Sequence, residues 1–396
     1  MSQLPPSWQH VGRHELFPDA GHDDVARFDF LANLNGFVSG TLAPKVRSAY
    51  EQEVKPAFEK EAGRAPKDRH EVRKAMAANT SYQTWSAARR CSMEMRQQTG
   101  RRLVLGQLDT LMEKASQRNA EPGLALDPAV EQPRYAAAVD IHCMPGGYHG
   151  EVVQGDISAG ANYDSGIFAT TGGMLGRYND GGGQAIARWL QRDFPDFKPK
   201  RILDIGCTVG HNIVPLAQAF PDAEVIAVDT AAPVLRYGHA RARSMGVENI
   251  TFRQASGEDL AYPDGHFDLI TTSMFWHETS AKALPRIMNE IHRLLAPGGL
   301  TVHLEQPQYH DGMDPFEQFM RDWDAFNNNE PFWSVMHSYH LGDMMRSAGF
   351  SDEEYFETGI RAWVDASIFP EAGSSEEEDY GRSAQWTVFG AWKEAA

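Results

Sequence analysis

The sequence is poor in cysteine, in long apolar runs and in positive charge. Its 396 residues include three cysteines, Cys91, Cys143 and Cys207, which are too few and too widely spaced for a disulfide framework or a four-thiolate metal site. No run of about 18 uncharged apolar residues occurs, and the N-terminus lacks the apolar segment of a secretory signal. We therefore expect a cytoplasmic protein without a membrane span.

The charge balance is acidic. The chain has 37 lysine and arginine residues against 54 aspartate and glutamate residues, a formal net charge of -17. Because this charge opposes attraction to phosphate backbones and to anionic membranes, we expect neither a nucleic-acid partner nor a membrane partner. A small molecule is the expected partner.

Composition divides the chain into three segments. Residues 1–130 include a long stretch rich in Ala, Glu, Lys, Arg, Gln and Met, which predicts an N-terminal helical region. Residues 131–183 contain glycines at short intervals, as in "CMPGGYHG" and "TTGGMLGRYNDGGG", and predict a linker with loops that cover the site. Residues 184–396 are predicted to form the main domain.

Helix and strand patterns alternate through this main domain. The apolar runs "RILDIG", "AEVIAVD", "ITFRQA", "FDLITTSM" and "LTVHLEQ" predict buried strands, and amphipathic segments between them predict helices. Such alternation predicts an α/β fold with a mostly parallel sheet covered on both faces. Two further strand patterns, "YFETGIRAWV" and "AQWTVFGAWK", predict a C-terminal antiparallel hairpin, giving seven strands. The acidic run 376–379 between them predicts a solvated loop.

The segment "DIGCTVGHN", residues 204–212, follows the first of these strands. A dinucleotide-binding loop would place glycine where Thr208 and His211 stand, and no Gly-Lys-Ser/Thr of a Walker loop follows. Asp204, two residues before Gly206, would repel a pyrophosphate but suits an ammonium group. Asp229, at the end of the next strand, can accept both hydroxyl protons of a ribose. The expected ligand is nucleoside-like and cationic.

Four motifs in order carry a family resemblance: "ILDIGCTVG", "VIAVD", "ASGEDLAYPDGHFDLI" and "RIMNEIHRLLAPGGL". Over residues 184–305 the chain resembles class I S-adenosylmethionine-dependent methyltransferases, in the branch that includes ubiquinone and menaquinone C-methyltransferases and many natural-product enzymes. The resemblance implies a Rossmann-like sheet, S-adenosyl-L-methionine as cofactor and methyl transfer to a small-molecule acceptor.

The resemblance also implies a set of cofactor-binding residues. The loop would hold the methionine portion through Asp204, Gly206, Thr208 and Gly210, and the end of the next strand would hold the ribose through Asp229 and Thr230. The segment after the third strand would frame the adenine through Ser256, Gly257 and Glu258. The end of the fourth strand would line the cofactor's other side through Ser273 and Met274. The family usually has a small residue where Thr208 stands, so this loop is expected to be less roomy.

Chemistry is expected at the rim formed by the strand ends. "SMFWHETS" places His277 and Glu278 just past the fourth strand, where His277 is a candidate general base for an acceptor that must lose a proton. The alternative is that both residues cap the following helix or make loop hydrogen bonds.

Aromatic residues mark the expected acceptor side. The insertion 307–340 is dense in aromatic side chains, of which Tyr309 and Trp333 are candidate acceptor contacts; the alternative is core packing against the N-terminal helices. Upstream, Tyr148 and His149 are candidate acceptor contacts, and Tyr163 is a candidate cofactor contact. They lie where this family has a loop that closes over the cofactor.

Other functions stay open at this stage. The cofactor could itself be the substrate, cyclised or cleaved with release of methylthioadenosine, or the chain could be an inactive methyltransferase-like partner protein. The N-terminal helical region is expected to complete the acceptor pocket or a homodimer interface. The histidines do not match a metal-ligand spacing, and the scattered cysteines cannot supply an iron-sulfur cluster, so no metal is predicted.

Overall fold

Eight strands form one sheet in the structure, a computed structural model that describes residues 4–310, 312–366, 368–369 and 385–395. They are β1 (Leu124–Ala125), β2 (Arg201–Ile205), β3 (Glu224–Asp229), β4 (Ile250–Gln254), β5 (Phe267–Ser273), β6 (Leu295–Leu304), β7 (Tyr355–Arg361) and β8 (Gln385–Trp392). The order is β1-β4-β3-β2-β5-β6-β8-β7. Neighbours from β1 to β6 pair parallel, and β8 pairs antiparallel with β6 and β7.

This topology confirms the predicted α/β fold with a mostly parallel sheet and a C-terminal antiparallel hairpin. The two-residue strand β1 adds an eighth strand to the seven predicted, because its register with β4 is set by contacts that a two-residue pattern does not encode. The predicted acidic loop at residues 376–379 lies outside the described residues.

Sixteen α-helices lie within the described residues. They are α1 (His22–Phe37), α2 (Ala43–Ala49), α3 (Lys55–Ala62), α4 (Arg69–Met76), α5 (Thr80–Leu105), α6 (Leu108–Asn119), α7 (Arg134–Ala137), α8 (Ser158–Thr171), α9 (Gly181–Asp193), α10 (Ile213–Ala219), α11 (Ala232–Ser244), α12 (Leu284–Leu294), α13 (Pro315–Arg321), α14 (Trp323–Asn327), α15 (Trp333–Met336) and α16 (Leu341–Ala348). Short π-helical segments, Val38–Leu42 and Tyr50–Val54, join α1, α2 and α3. No described helix has the length and apolar character needed to cross a membrane.

Both faces of the sheet are buried, as the unbroken apolar runs of the strands require. Along β2, Ile202 packs in a core cluster with Ile186 of α9 and Leu216 of α10. Its neighbour Leu203 packs on the opposite face in a second cluster with Ile287 of α12. The period of two in a strand therefore separates the two cores and fixes the direction in which the strand ends point.

Residues 158–171 form a buried helix, α8, although the sequence suggested loops there. Its glycines serve close packing: a Cβ on Gly160 would lie 2.6 Å from Tyr237 Cβ, and one on Gly166 would lie 2.5 Å from Arg96 Nε. Because glycine alone admits such approach, α8 fits between α5 and α11. The glycine spacing that suggested a linker is a packing device.

The segment 307–340 packs mainly on the N-terminal helices. Phe316, Phe319 and Trp323 share an apolar cluster with residues of α2, α4 and α5, among them Trp85. Core packing therefore accounts for these three aromatic side chains. The N-terminal helices and this segment together stand beside the carboxyl edge of the sheet.

Candidate active site

The loop after β2 has a backbone that demands glycine. Gly206 has a φ of +78°, and a Cβ added to it would lie 2.3 Å from Cδ2 of Phe275. Thr208 also adopts a left-handed φ of +45°, which is strained for a residue with a side chain. Its N–H donates to Oδ2 of Asp229 at 3.0 Å. This hydrogen bond ties the loop to the end of β3.

Asp204 is a buried carboxylate within β2. Its Oδ1 accepts a hydrogen bond from the Thr271 hydroxyl at 2.7 Å, which is its one hydrogen bond within the described chain. Burial raises the pKa of Asp204 to about 7, and the Thr271 hydrogen bond opposes this shift only in part. A cationic group placed beside Asp204 would restore its ordinary ionisation. The site is therefore suited to an ammonium group.

Asp229 is the last residue of β3, and each of its carboxylate oxygens accepts one backbone hydrogen bond. Oδ1 accepts from the Ala231 N–H at 2.9 Å and Oδ2 accepts from the Thr208 N–H at 3.0 Å. Burial raises the pKa of Asp229 to about 6, while these backbone donors lower it. Each oxygen keeps a lone pair for a further donor, so the pair can accept from two adjacent hydroxyl groups.

A cavity of about 860 Å³ begins at these strand ends and extends to the N-terminal helices. Most of the predicted cofactor residues line it: Asp204, Gly206, Thr208, Asp229, Thr230, Ser256, Gly257, Ser273, Met274 and Tyr163. Several side-chain atoms on its wall are buried without a hydrogen-bond partner in the described structure, among them Ser273 Oγ, Gln306 Oε1 and Trp386 Nε1. Such unpaired polar atoms mark a place where a polar ligand belongs.

Two predicted cofactor residues lie elsewhere. Gly210, with a φ of +80°, is not part of the cavity wall, and a Cβ added to it would lie 3.0 Å from the ring of Phe252. Glu258 lies off the cavity wall and pairs with Arg286 at 3.1 Å, since its side chain points across the surface toward α12. For both residues, contact with the cofactor stays a prediction.

His277 and Glu278 both line the cavity, on a single helical turn, Trp276–Glu278, after β5. They do not pair with each other. The Nδ1 atom of His277 lies 2.6 Å from Oε1 of Glu305, a buried residue just past β6. Burial lowers the pKa of His277, but the Glu305 carboxylate outweighs this effect and raises it to about 9. With Nδ1 engaged, Nε2 is the ring nitrogen left to act.

Glu278 belongs to a second polar group built around His142. Oε1 of Glu278 lies 2.8 Å from Nε2 of His142 and accepts the Tyr148 hydroxyl at 3.1 Å. The other ring nitrogen of His142 contacts Oε1 of Glu330. Because both nitrogens face carboxylates, both carry protons: burial opposes the charge, but the carboxylates raise the pKa of His142 to about 10. His142 is an imidazolium in the neutral pH range.

Two of the four predicted acceptor contacts reach the cavity. Tyr148 lines it, and Trp333 lines it with its ring centroid 4.6 Å from that of His277. His149 lies outside the wall, half-buried beside Gly147. Tyr309 also lies outside, stacked on His337 at 4.1 Å, with its hydroxyl donating to Asp322 at 3.0 Å. For His149 and Tyr309, contact with an acceptor stays a prediction that the cavity wall does not support.

The sequence analysis missed several residues of the wall or of its support. Glu305 lies near the end of the predicted strand "LTVHLEQ", as Asp229 lies at the end of "AEVIAVD", so the rule that identified Asp229 would have found it. Tyr135 and Pro133 line the cavity and come from the segment before α8. Others lie on α5 or the 307–340 segment and carry no local signal: Arg89, Arg96, Asn328 and Glu330.

Comparison with known proteins identifies a methyltransferase domain within the chain. A family model described as a methyltransferase domain matches residues 202–299. A demethylmenaquinone methyltransferase of Symbiobacterium thermophilum is 36% identical over 128 residues, which are 32% of this chain and 48% of that protein. The chain spans about half the length of the demethylmenaquinone methyltransferases that it matches.

A longer match is with an uncharacterized methyltransferase of Synechocystis. The two are 32% identical over 154 residues, 38% of this chain and 67% of that protein. The chain belongs to the class I S-adenosylmethionine-dependent methyltransferases. A crystal structure of a Nostoc punctiforme protein, provisionally assigned as an O-methyltransferase, is 14% identical and covers 92% of this chain and 98% of its own, with a TM-score of 0.45.

The cofactor of this family is S-adenosylmethionine, and the residues of the cavity fit it. A buried carboxylate with one hydrogen bond, Asp204, suits the ammonium of the methionine head. Asp229 has acceptor capacity for the ribose diol, and Gly206 has no side chain to block the approach of a ligand.

Proposed function

We propose that this protein transfers a methyl group from S-adenosylmethionine to a small-molecule acceptor. The observation that carries the proposal is one continuous cavity whose cofactor half contains Asp204 and Asp229 and whose other half contains His277, Glu278 and Trp333. Its volume of about 860 Å³ is near the upper end for ligand pockets, which supports occupation by a cofactor and an acceptor together.

The cofactor half of the cavity binds S-adenosylmethionine and orients it. Asp204 holds the ammonium group, Asp229 with Thr230 holds the ribose, and Ser256 with Gly257 frames the adenine. Bound there, S-adenosylmethionine supplies an electrophilic methyl carbon. Tyr163, whose ring is stacked on His211 at 5.6 Å, forms the wall between this half and the acceptor half.

The acceptor half orients the nucleophile and manages its proton. In its neutral form, which is populated as pH rises toward 9, His277 accepts the acceptor's proton at Nε2, and Glu305 is a positioning residue that fixes the ring through Nδ1. Glu278, held by His142 and Tyr148, offers a carboxylate to a hydroxyl or amine donor of the acceptor. Trp333 and the N-terminal helices exclude water from the reacting atoms.

We further propose that the three segments of the chain have different roles in the site. Residues 184–396 supply the cofactor site, residues 131–183 cover it, and residues 1–130 supply part of the acceptor wall through α5. A small-molecule acceptor in the cytoplasm fits the net charge of -17 and three free cysteines. Of the two predicted roles for the N-terminal region, the wall residues on α5 favour completion of the acceptor pocket over a homodimer interface.

The first test is binding of S-adenosylhomocysteine by isothermal titration calorimetry. We expect binding in the wild type and in His277→Ala, and weakened binding in Asp204→Asn. Absence of binding to the wild type would refute the proposal.

The second test follows the methyl group. The protein is incubated with methyl-labelled S-adenosylmethionine and a pool of small-molecule metabolites, and products are identified by mass spectrometry. We expect a labelled acceptor and S-adenosylhomocysteine in the wild type and in the exposed control His22→Ala, with loss in His277→Ala. Methylthioadenosine as the product would mean that the cofactor reacts with itself, and binding without any turnover would indicate an inactive partner protein.

A further inference from the structure

Arg96 is a buried cation without an anion. It lies on α5, is 4% exposed and lines the cavity. Its Nη2 donates to the backbone oxygen of Tyr163 at 3.4 Å, and its Nε has no hydrogen-bond partner. Within the part of the chain that the structure describes, no carboxylate forms an ion pair with it. A buried guanidinium in this state is costly unless a ligand brings the counter-ion.

The other arginines of the cavity wall are paired. Arg47 contacts Asp314 at 3.0 Å, Arg89 contacts Asp324 at 2.9 Å, and Arg321 contacts Glu317 at 2.9 Å. These three positive charges are therefore compensated within the protein. Arg96 differs from them in both burial and pairing, and burial lowers its pKa from the ordinary value.

The protein is shaped to keep Arg96 in this position. Gly166 of α8 faces the guanidinium, and a Cβ there would lie 2.5 Å from Nε. Any side chain at residue 166 would thus displace the charged group. Glu278, a carboxylate on the same cavity wall, is already engaged by His142 and by the Tyr148 hydroxyl. The Arg96 charge is left for something that enters the cavity.

We propose that Arg96 binds a carboxylate group of the acceptor, so that the methyl acceptor is a small organic acid. This inference rests on the proposed function, because it assigns the acceptor half of the same cavity. A planar guanidinium is the protein group best matched to a carboxylate. The methionine head of the cofactor also carries a carboxylate, and the experiment below separates the two sources.

The experiment uses the full chain saturated with S-adenosylhomocysteine. It is titrated calorimetrically with benzoate and hexanoate, and in parallel with their neutral isosteres benzamide and hexanamide. We expect at least one acid to bind more tightly than its amide. Arg96→Met should weaken the binding of that acid by about tenfold or more. The matched control Arg101→Met, on the same helix but off the cavity wall, should leave the preference unchanged.

Three outcomes overturn the inference. The first is a wild type that prefers neither acid over its amide, and the second is a preference that survives in Arg96→Met. The third is a loss of S-adenosylhomocysteine affinity in Arg96→Met with methylthioadenosine affinity unchanged, which would assign Arg96 to the methionine carboxylate. If S-adenosylhomocysteine does not bind at all, the proposed function fails, and the acids titrated against the free protein still test Arg96.

A stability measurement distinguishes binding from a structural role. Because the unpaired charge destabilises the free protein, Arg96→Met should raise the Tm in the absence of ligand. A structural arginine would give the opposite sign, and a lowered Tm in a folded Arg96→Met variant would contradict the inference. Gly166→Ala, which pushes on Nε while keeping the charge, should weaken acid binding without removing it.

Discussion

His142 and Glu278 are 136 residues apart in the sequence, and their side chains meet at 2.8 Å on the wall of the cavity. The contact joins the segment before α8 to the turn after β5. Glu330, from the segment after β6, contacts the other ring nitrogen of the same imidazole. A single imidazolium between two carboxylates therefore ties three distant parts of the chain together at the acceptor half of the site.

The first prediction concerns this imidazolium. Replacing His142 with glutamine leaves the carboxylates of Glu278 and Glu330 without their cation, and should lower the free energy of unfolding by about 3 kcal/mol at pH 6. The folded pKa of about 10 exceeds the ordinary value of 6.5, so the contribution is complete below pH 6.5 and is lost as pH rises through 10. Urea denaturation of both proteins from pH 6 to 10 measures the difference, which should shrink with pH. A difference that stays constant would contradict the assignment.

The cofactor half of the site could be predicted from the sequence for a physical reason. Parallel strands end at one edge of the sheet, so Asp204, Gly206 and Asp229 could be placed together once the strands were recognised. The pairing of His277 was less accessible, although its partner Glu305 also follows a strand. The sequence analysis grouped His277 with its neighbour Glu278, whereas the two side chains point to different partners.

The acceptor half depends on contacts that local patterns do not encode. Arg96 sits in a helix of 26 residues that carries several other arginines, and nothing in its spacing separates it from the exposed ones. The glycines of α8 suggested loops because glycine is typical of turns, yet here they allow helices to approach closely. Tertiary packing decided both cases.

The second prediction concerns Asp204. Its folded pKa of about 7 lies above the ordinary 3.8, so the contribution of Asp204 to stability is complete below pH 3.8 and is lost as pH rises through 7. Asp204→Asn should remove this part of the pH dependence in the free protein. It should also weaken the binding of S-adenosylhomocysteine by about tenfold at pH 8, because the carboxylate that faces the ammonium group is gone.

Thermal unfolding and calorimetry from pH 5 to 8 check this prediction. In the wild type, affinity should increase over that range as Asp204 ionises. Asp222→Asn, an exposed aspartate far from the cavity wall, is the matched control and should behave like the wild type. A wild-type affinity that does not change with pH would count against the role of Asp204.

The third prediction concerns Gly206. Alanine there must adopt a φ of +78° and would place its Cβ 2.3 Å from Phe275, so Gly206→Ala should abolish cofactor binding. Gly246 has a similar φ of +75° with no atom within 4 Å of an added Cβ. Gly246→Ala should therefore cost only the backbone strain, about 1 kcal/mol, and keep binding intact.

Comparing the two variants isolates the steric contact from the strain of the backbone. Their Tm values and their affinities for S-adenosylhomocysteine are measured side by side. Equal losses of stability in the two variants, with binding retained in both, would show that Phe275 does not restrict the loop.

The last prediction concerns His277 and Glu305. The Glu305 carboxylate holds the pKa of His277 at about 9, so Glu305→Gln should move the titration of the imidazole to lower pH. Histidine-selective NMR measures the midpoint directly, with the signal assigned by its absence in His277→Gln. Glu290→Gln removes a buried carboxylate that pairs with Arg293 away from the cavity, and should leave the midpoint unchanged.

The same pair predicts a pH profile for methyl transfer. If His277 accepts the proton, the rate should rise with pH through the pKa of His277, and the rise should occur at lower pH in Glu305→Gln. His277→Ala should lower turnover by about 10² to 10⁴ while cofactor affinity is unchanged. A moved NMR midpoint with an unmoved rate profile would show that the imidazole only shapes the cavity, because a base must impose its own titration on the rate.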